Sequence, residues 1–178
     1  MTVAGGSRGA PQTAAVGAVR TLGSRHCIVC GQEHPHGMRV AYTVDGAGSA
    51  EAVWTVRAEF QGFDGILHGG AVLGLLDDAM WYAVYGAGAV TLTAEASIRY
   101  RAPVAVGTTV RVNGSARQLR GRLWACTAQI GPAAGGAVLA EATASFVAVP
   151  AEDVAARAEA AAVHEVPAAV DGGAAGGR

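Results

Sequence analysis

A His-Gly-Gly triplet, residues 68–70, opens a predicted helix whose apolar run over 71–85 is interrupted by the adjacent acids Asp77 and Asp78. Glycines at a helix start leave backbone N–H groups bare, and these groups carry the positive end of the helix dipole. Such a start can hold an oxyanion. A carboxylate on an otherwise apolar helix is costly to bury, so we expect it to face a cleft or a partner group. The chemistry of this protein is therefore expected on this helix.

Around the predicted helix, apolar residues recur with a period of two residues rather than 3.6, which is typical of β-strands. Segments 38–45 and 49–59 flank the turn Gly46-Ala47-Gly48 and predict a β-hairpin. Apolar and polar residues alternate over 92–101 until Pro103 ends the strand. Three further strands are predicted over 108–119, 122–130 and 137–149. The order β-β-α-β-β-β-β predicts an α+β fold in which an antiparallel sheet wraps around one long central helix.

Composition shifts mark both ends of the predicted domain, which spans residues 25–150. Residues 1–24 and 163–178 are rich in glycine and alanine and have little apolar bulk to offset their ordering entropy. Residues 151–162 are helix-prone through their alanines but short. We expect both ends to be disordered tails, the second of them starting with this short helix-prone segment.

Composition and charge limit the function classes. The 178 residues, 51% of them hydrophobic and 15% charged, are enough for one core. A net charge of −1 and a pI near 6.5 give no electrostatic footprint for nucleic acid or a membrane surface. No run approaches the ~20 apolar residues of a membrane span, and the N-terminus lacks the apolar block of a secretory signal. The odd number of cysteines, three, agrees with a reducing compartment. We therefore expect a cytoplasmic protein without nucleic-acid or membrane partners.

Several motifs occur together between residues 27 and 149. They are His68-Gly69-Gly70, Leu75-Leu76-Asp77, Thr93-Ala94 with Ile98, Tyr100 and Pro103, Cys27-Ile28-Val29-Cys30-Gly31 with Pro35 and Gly37, and Phe60-Gln61-Gly62-Phe63. In this combination the chain resembles the hotdog-fold acyl-CoA thioesterases of the PaaI-like, phenylacetate-type branch. The resemblance implies a hotdog fold and hydrolysis of a thioester. Because the fold also hosts other activities, it is less specific for function than for fold.

The resemblance also implies roles for residues of the helix. Asp77, nine places after His68, would be the general base on water or the nucleophile on the thioester carbon, and the N–H of Gly70 would hold the oxyanion. Helical periodicity does not separate Asp77 from Asp78, which lie on different faces. The ring of His68 would fix the turn at Gly69 rather than act as a base, although its pKa range keeps acid–base chemistry open.

Two candidate site residues with weaker sequence support lie outside the helix. Thr93 matches a hydroxyl position that in relatives helps to hold water or the thioester, but a β-branched residue also suits a strand. Gln61 would orient a water through its amide. Many relatives have an asparagine at the next position, where this chain has Gly62, so the identity of the water-positioning group stays open.

The acyl-CoA substrate would be bound by aromatic and basic side chains. Phe63, Trp81 and Tyr82 indicate an aromatic or bulky acyl group, although aromatic residues on a helix are more often core. Arg101 and Arg122 are the arginines we favour for the nucleotide phosphates of coenzyme A.

Helix geometry predicts a site shared between subunits. Gly70 and Asp77 are seven residues apart, roughly 10 Å along a helix axis, so one carbonyl group cannot touch both. Two antiparallel helices related by a two-fold axis would place each N-terminus beside the middle of the partner helix. Proteins of the resembling family form such dimers. We therefore expect a homodimer with shared active sites, which can associate further as a dimer of dimers.

Cys27 and Cys30 have metal-ligand spacing, with three histidines nearby. A structural zinc site usually has a second ligand pair, and Cys126 is far away in the sequence. A redox pair is expected at a helix start after a strand, which this segment does not resemble. The turn residues around the cysteines therefore favour a structural turn over zinc or redox chemistry, and the sequence predicts no metal.

These inferences predict an acyl-CoA thioester hydrolase. Coenzyme A enters as part of the substrate, and no separate cofactor is expected. The alternatives are an acyl-carrier-protein thioesterase or cyclase of a biosynthetic pathway, and a non-catalytic hotdog protein that only binds acyl-CoA.

Overall fold

A computed structural model describes residues 25–154 as one six-stranded antiparallel sheet packed on one long helix. The strands are β1 (Thr43–Val44), β2 (Ser49–Thr55), β3 (Thr91–Tyr100), β4 (Thr109–Arg120), β5 (Leu123–Pro132) and β6 (Ala140–Ala148), and the helix is α1 (Gly69–Gly86). This order confirms the predicted β-β-α-β-β-β-β arrangement. The protein has the hotdog fold.

The sheet has the strand order β1-β2-β4-β5-β6-β3, which places β1 and β3 at its edges. Thr93 of β3 is paired with Phe146 of β6, which in turn is paired with Trp124 of β5. The register of β3 shifts between Thr93 and Glu95, as at a β-bulge. Because the middle of α1 faces this end of the sheet, the bulged edge strand borders the helix where its acids lie.

Close packing holds α1 on the sheet. Trp124, Cys126, Ala128 and Ile130 alternate with more exposed residues along β5 and form part of the buried face. On β4, a Cβ atom at Gly114 would lie 2.2 Å from the carbonyl oxygen of Ala79 in α1. The helix backbone therefore touches the strand, and a larger residue at this position would push the helix away.

The opposite face of α1 is covered by residues 25–42, the covering segment, which precede β1. Val29 contacts Gly74, where an added Cβ would approach the valine within 3.0 Å. The hydroxyl of Tyr42 donates to the carbonyl of Leu75 at 2.8 Å, and the Tyr42 ring stacks on Tyr82 with centroids 4.9 Å apart. The helix is thus enclosed between the sheet and this covering segment.

The structure corrects three expectations about the elements. Only Thr43–Val44 of the predicted first strand is paired in the sheet, and Arg39 adopts a positive φ of 56°. The second strand ends at Thr55, because a 3₁₀ turn follows over Ala58–Phe60. The alternation in β3 predicts one buried face, but the strand is exposed along most of its length because it lies at the sheet edge.

The predicted tails 1–24 and 163–178 lie outside the described residues, as does most of the helix-prone segment 151–162, whose first four residues are helical. No helix within residues 25–154 has the length and apolar character needed to cross a membrane.

Candidate functional site

The start of α1 is organised by His68. Its Nδ1 accepts a hydrogen bond from the Gly70 N–H at 2.9 Å, so that His68 caps the helix. The expectation of a bare N–H at Gly70 is therefore wrong. Within the described residues the N–H of Gly69 has no hydrogen-bond acceptor, and the Gly69 carbonyl accepts from the hydroxyl of Tyr100 at 2.8 Å. The free donor at this helix start is one residue earlier than the sequence predicts.

Asp77 lies in the middle of α1 and faces the edge strand β3. Its Oδ1 accepts a hydrogen bond from the Thr93 hydroxyl at 3.0 Å. Burial raises the pKa of Asp77, and the bond from Thr93 acts against this rise. The structure thus joins these two predicted residues into one oriented carboxylate beside the open edge of the sheet.

Two buried polar atoms near this end of the sheet have no hydrogen-bond partner within the described chain: Oγ1 of Thr91 and Nε1 of Trp124. The backbone of Thr91 is engaged, since its carbonyl accepts from the indole N–H of Trp81 at 3.0 Å. Trp81 also stacks on Tyr85, with ring centroids 5.2 Å apart. The sequence gives no signal for the two unpaired groups, which depend on the tertiary packing.

Asp78 faces the covering segment instead. Its Oδ2 lies 3.9 Å from Sγ of Cys27, and the ligand atoms of Cys27, Cys30 and Asp78 all lie within 4.8 Å of one another. Burial raises the pKa of Asp78 to about 7. The hydrogen bond between the cysteines lowers the pKa of Cys27 to about 5 and raises that of Cys30. Sequence reasoning missed this association of the cysteines with the helix.

The other predicted binding residues are dispersed. Oε1 of Gln61 accepts a hydrogen bond from the Gly65 N–H at 3.0 Å and so stabilises the loop before the helix. Phe63 is 83% exposed on that loop. Tyr82 is buried against Tyr42 on the Asp78 side of the helix, away from the Asp77 carboxylate, although it was predicted to bind the acyl group.

The two predicted phosphate-binding arginines lie at opposite ends of the sheet. Arg101 follows β3 next to Tyr100, which reaches the start of α1, and it forms an ion pair with Glu141. Arg122 precedes β5 at the end of the sheet where Thr93 lies, and it has no ion pair within the described residues. One chain therefore does not bring both arginines to one site.

Comparisons with known proteins agree with this fold. Residues 64–136 match the family model of the Thioesterase superfamily. A thioesterase superfamily protein of known crystal structure is 28% identical with a TM-score of 0.64, and the match covers 69% of this chain and 60% of that chain. The chain thus spans 60% of the length of this first structural relative. None of the curated proteins matches the chain.

Two more distant structures share the fold. A hypothetical thioesterase from Streptococcus pneumoniae TIGR4, solved with coenzyme A, is 19% identical with a TM-score of 0.55, covering 57% of this chain and 82% of that one. The E. coli PaaI protein from the phenylacetic acid degradation operon is 20% identical with a TM-score of 0.54, covering 58% and 74%. The pneumococcal protein has also been solved with an aspartate and with a threonine replaced by alanine.

Proposed function

We propose that this protein hydrolyses acyl-CoA thioesters at a site formed by Asp77 and Thr93 of one subunit and the start of α1 of a second subunit. The observation that carries the proposal is the 3.0 Å hydrogen bond from the Thr93 hydroxyl to Oδ1 of Asp77, at the unpaired edge of the sheet. In the pneumococcal thioesterase the substituted aspartate and threonine have the same separation in sequence as Asp77 and Thr93. That agreement supports the choice of this pair.

Asp77 would start the reaction in one of two ways. As a general base it takes a proton from a water molecule that attacks the thioester carbon, and as a nucleophile its carboxylate oxygen attacks that carbon directly. In both cases the carbonyl oxygen becomes an oxyanion, the C–S bond breaks and coenzyme A leaves as a thiolate. Thr93 holds Oδ1, so Oδ2 is the oxygen available to the water or the thioester carbon.

The oxyanion would be held by the N–H of Gly69, the donor that the structure leaves free. Gly69 and Asp77 are eight residues apart on α1, roughly 12 Å along the axis, so one chain cannot bring both to one carbonyl group. The β3 edge offers the second chain a place to pair, since Leu92 is 44% exposed and Tyr100 is 51% exposed there. A two-fold dimer through β3 would supply Gly69 from the partner subunit.

Arg122 is the better candidate for the nucleotide phosphates, because Arg101 is already paired with Glu141. The acyl group would lie beside the half-buried ring of Trp81, which is one helical turn after Asp77 and stacks on Tyr85. This arrangement supports an aromatic or bulky acyl group.

The test is a thiol-release assay on a panel of acyl-CoA and acyl-carrier-protein substrates. We expect release of coenzyme A from at least one acyl-CoA, with bulky acyl groups preferred over acetyl. Release only from carrier-protein substrates would replace the proposal by a carrier-protein thioesterase. Binding of acyl-CoA by calorimetry with no release from any substrate would show a non-catalytic binding protein.

A further inference from the structure

We propose that Cys27, Cys30 and Asp78 bind a zinc ion that fastens the covering segment to the middle of α1. Their ligand atoms lie within 4.8 Å of one another, and Cys27 Sγ is 3.9 Å from Asp78 Oδ2. Zn–S bonds of about 2.3 Å and Zn–O bonds of about 2.0 Å in a tetrahedron place the ligand atoms roughly 3.5 to 3.8 Å apart. Small side-chain movements would therefore close the site, with water as the fourth ligand.

The backbone turn between the cysteines holds both sulfurs on the side that faces the helix. The N–H of Gly31 donates to the Cys27 carbonyl at 2.9 Å, and the N–H of Val29 points to Cys27 Sγ at 3.4 Å. A Cβ at Gly31 would lie 2.4 Å from the Cys27 nitrogen, so the turn accepts only glycine here. Backbone N–H groups directed at a sulfur stabilise a thiolate and so support metal binding.

The electrostatics of the cluster also favour a cation. The titratable groups that interact with Asp78 include Cys27, Cys30, Asp77, Tyr42 and Tyr82, and these five groups are all acids. Asp78 has no ion pair within residues 25–154. Acidic groups gathered away from water without a counter-charge are costly, and a bound divalent ion removes that cost. Two thiolates favour zinc over magnesium or calcium, which prefer oxygen ligands.

A zinc ion at this cluster would overturn the sequence prediction of no metal. That prediction depended on the missing second ligand pair, and the fold supplies a third ligand from α1, far away in the sequence. The proposed role is structural and does not depend on the proposed thioesterase activity. Since a structural zinc site contributes its binding free energy to folding, the covering segment would be held on the helix by the metal.

The test measures zinc by elemental analysis in the full chain, purified with reductant and then loaded with zinc sulfate. We expect about one zinc ion per chain for the wild type. Cys27→Ser and Asp78→Asn should each lower this content at least about tenfold. Cys126→Ala is the matched control, since Cys126 is buried on β5 outside the cluster, and it should keep its zinc. Chelator should lower the Tm of the wild type and leave that of the two ligand variants unchanged.

A second readout avoids dependence on variants that fail to fold. Replacement of zinc by cobalt(II) in the wild type should give thiolate-to-metal charge-transfer absorption, which a carboxylate site lacks. A folded wild-type protein whose three thiols titrate as reduced, yet which takes up neither metal, would overturn the proposal. Isolation of a Cys27–Cys30 disulfide, together with no metal uptake after reduction, would also overturn it, in favour of a redox pair.

Discussion

Asp77 and Asp78 are neighbours in the chain, yet they lie in two regions of the molecule with opposite character. Asp77 faces an open sheet edge and is oriented by the neutral hydroxyl of Thr93. Asp78 faces a closed cluster and lies against the thiols of Cys27 and Cys30. One residue along a helix turns a side chain by about 100°. This rotation is enough to separate a carboxylate with access to a substrate from one whose neighbours suit a metal.

Burial alone does not distinguish the proposed catalytic acid from its neighbour. Burial raises the pKa of both carboxyl groups, and Asp78 is the more strongly shifted of the two. A ranking by pKa shift would therefore choose Asp78. The hydrogen bond from Thr93 and the position of β3 at the sheet edge instead support our proposal that Asp77 is the reacting group.

The largest expected effect separates the two acids directly. Asp77→Asn keeps the shape of the side chain but removes the base or nucleophile, so thiol release should fall at least about 10²-fold while the Tm stays near that of the wild type. Asp78→Asn should cost far less activity, and in the zinc-loaded protein it should lower the Tm because it removes a proposed zinc ligand. Thiol release and thermal unfolding measured on both variants check this. Equal loss of activity in the two, or a larger loss in Asp78→Asn, would refute the assignment of the site.

A mixed dimer tests whether the Asp77 region is completed by a second chain. Gly69→Pro removes the free N–H at the first helical position, which tolerates proline, and His68 already has the extended ψ of 136° that a residue before proline prefers. Homodimers of Gly69→Pro and of Asp77→Asn should each be nearly inactive. When the two chains are refolded together, half of the dimers are mixed and each has one intact site, so activity should return to roughly a quarter of wild type.

The control for this experiment is Gly69→Ala, which adds a Cβ near the Tyr100 hydroxyl but keeps the N–H. It should keep more activity than the proline variant. Mixed dimers that mass spectrometry detects but that remain inactive would rule out a shared site.

Thr93→Val should have a smaller effect, because it keeps the β-branched shape and removes only the hydroxyl that orients Asp77. A hydrogen bond to a charged group contributes about 1.5 to 3 kcal/mol, so thiol release should fall by between about tenfold and about a hundredfold. Thr93→Ser is the matched control and should stay close to wild type. If valine and serine behave alike in steady-state assays, the Thr93 hydroxyl is not part of the reaction.

Most of the fold can be predicted from the sequence because its signals are local. The period-two strands, the glycine turn after Asp45 and the apolar run of α1 determine the element order. The ends of β1 and β2 are less predictable, since Arg39 and the 3₁₀ turn at Ala58–Phe60 interrupt strands that the apolar pattern continues. The exposure of β3 follows from its place at the edge, which strand order decides and local pattern does not.

The features of the candidate site also differ in how well the sequence predicts them. Asp77 and Thr93 could each be named from their motif positions, but the hydrogen bond between them, like the bond from Gly70 to the His68 ring, depends on side-chain rotamers that no spacing specifies. The contact of Cys27 with Asp78 joins residues 51 positions apart. The sequence held one signal for this contact, because Asp78 shares a helix face with Gly74 and Tyr82. A glycine on a helix face, here Gly74, indicates where another segment approaches the helix closely.

The smallest expected effect lies on the covering side of the helix and involves Tyr42. Its hydroxyl donates to the Leu75 carbonyl, and its ring stacks on Tyr82. Tyr42→Phe keeps the stacked ring and removes the buried hydrogen bond, so the free energy of unfolding should fall by about 1 kcal/mol. Thiol release should be unchanged, because Tyr42 does not contact Asp77 or Thr93. Urea unfolding and thiol-release assays check both parts. A variant that loses activity at unchanged stability would show that the two sides of the helix are coupled, and the separation of Asp77 from Asp78 would then fail as an account of the site.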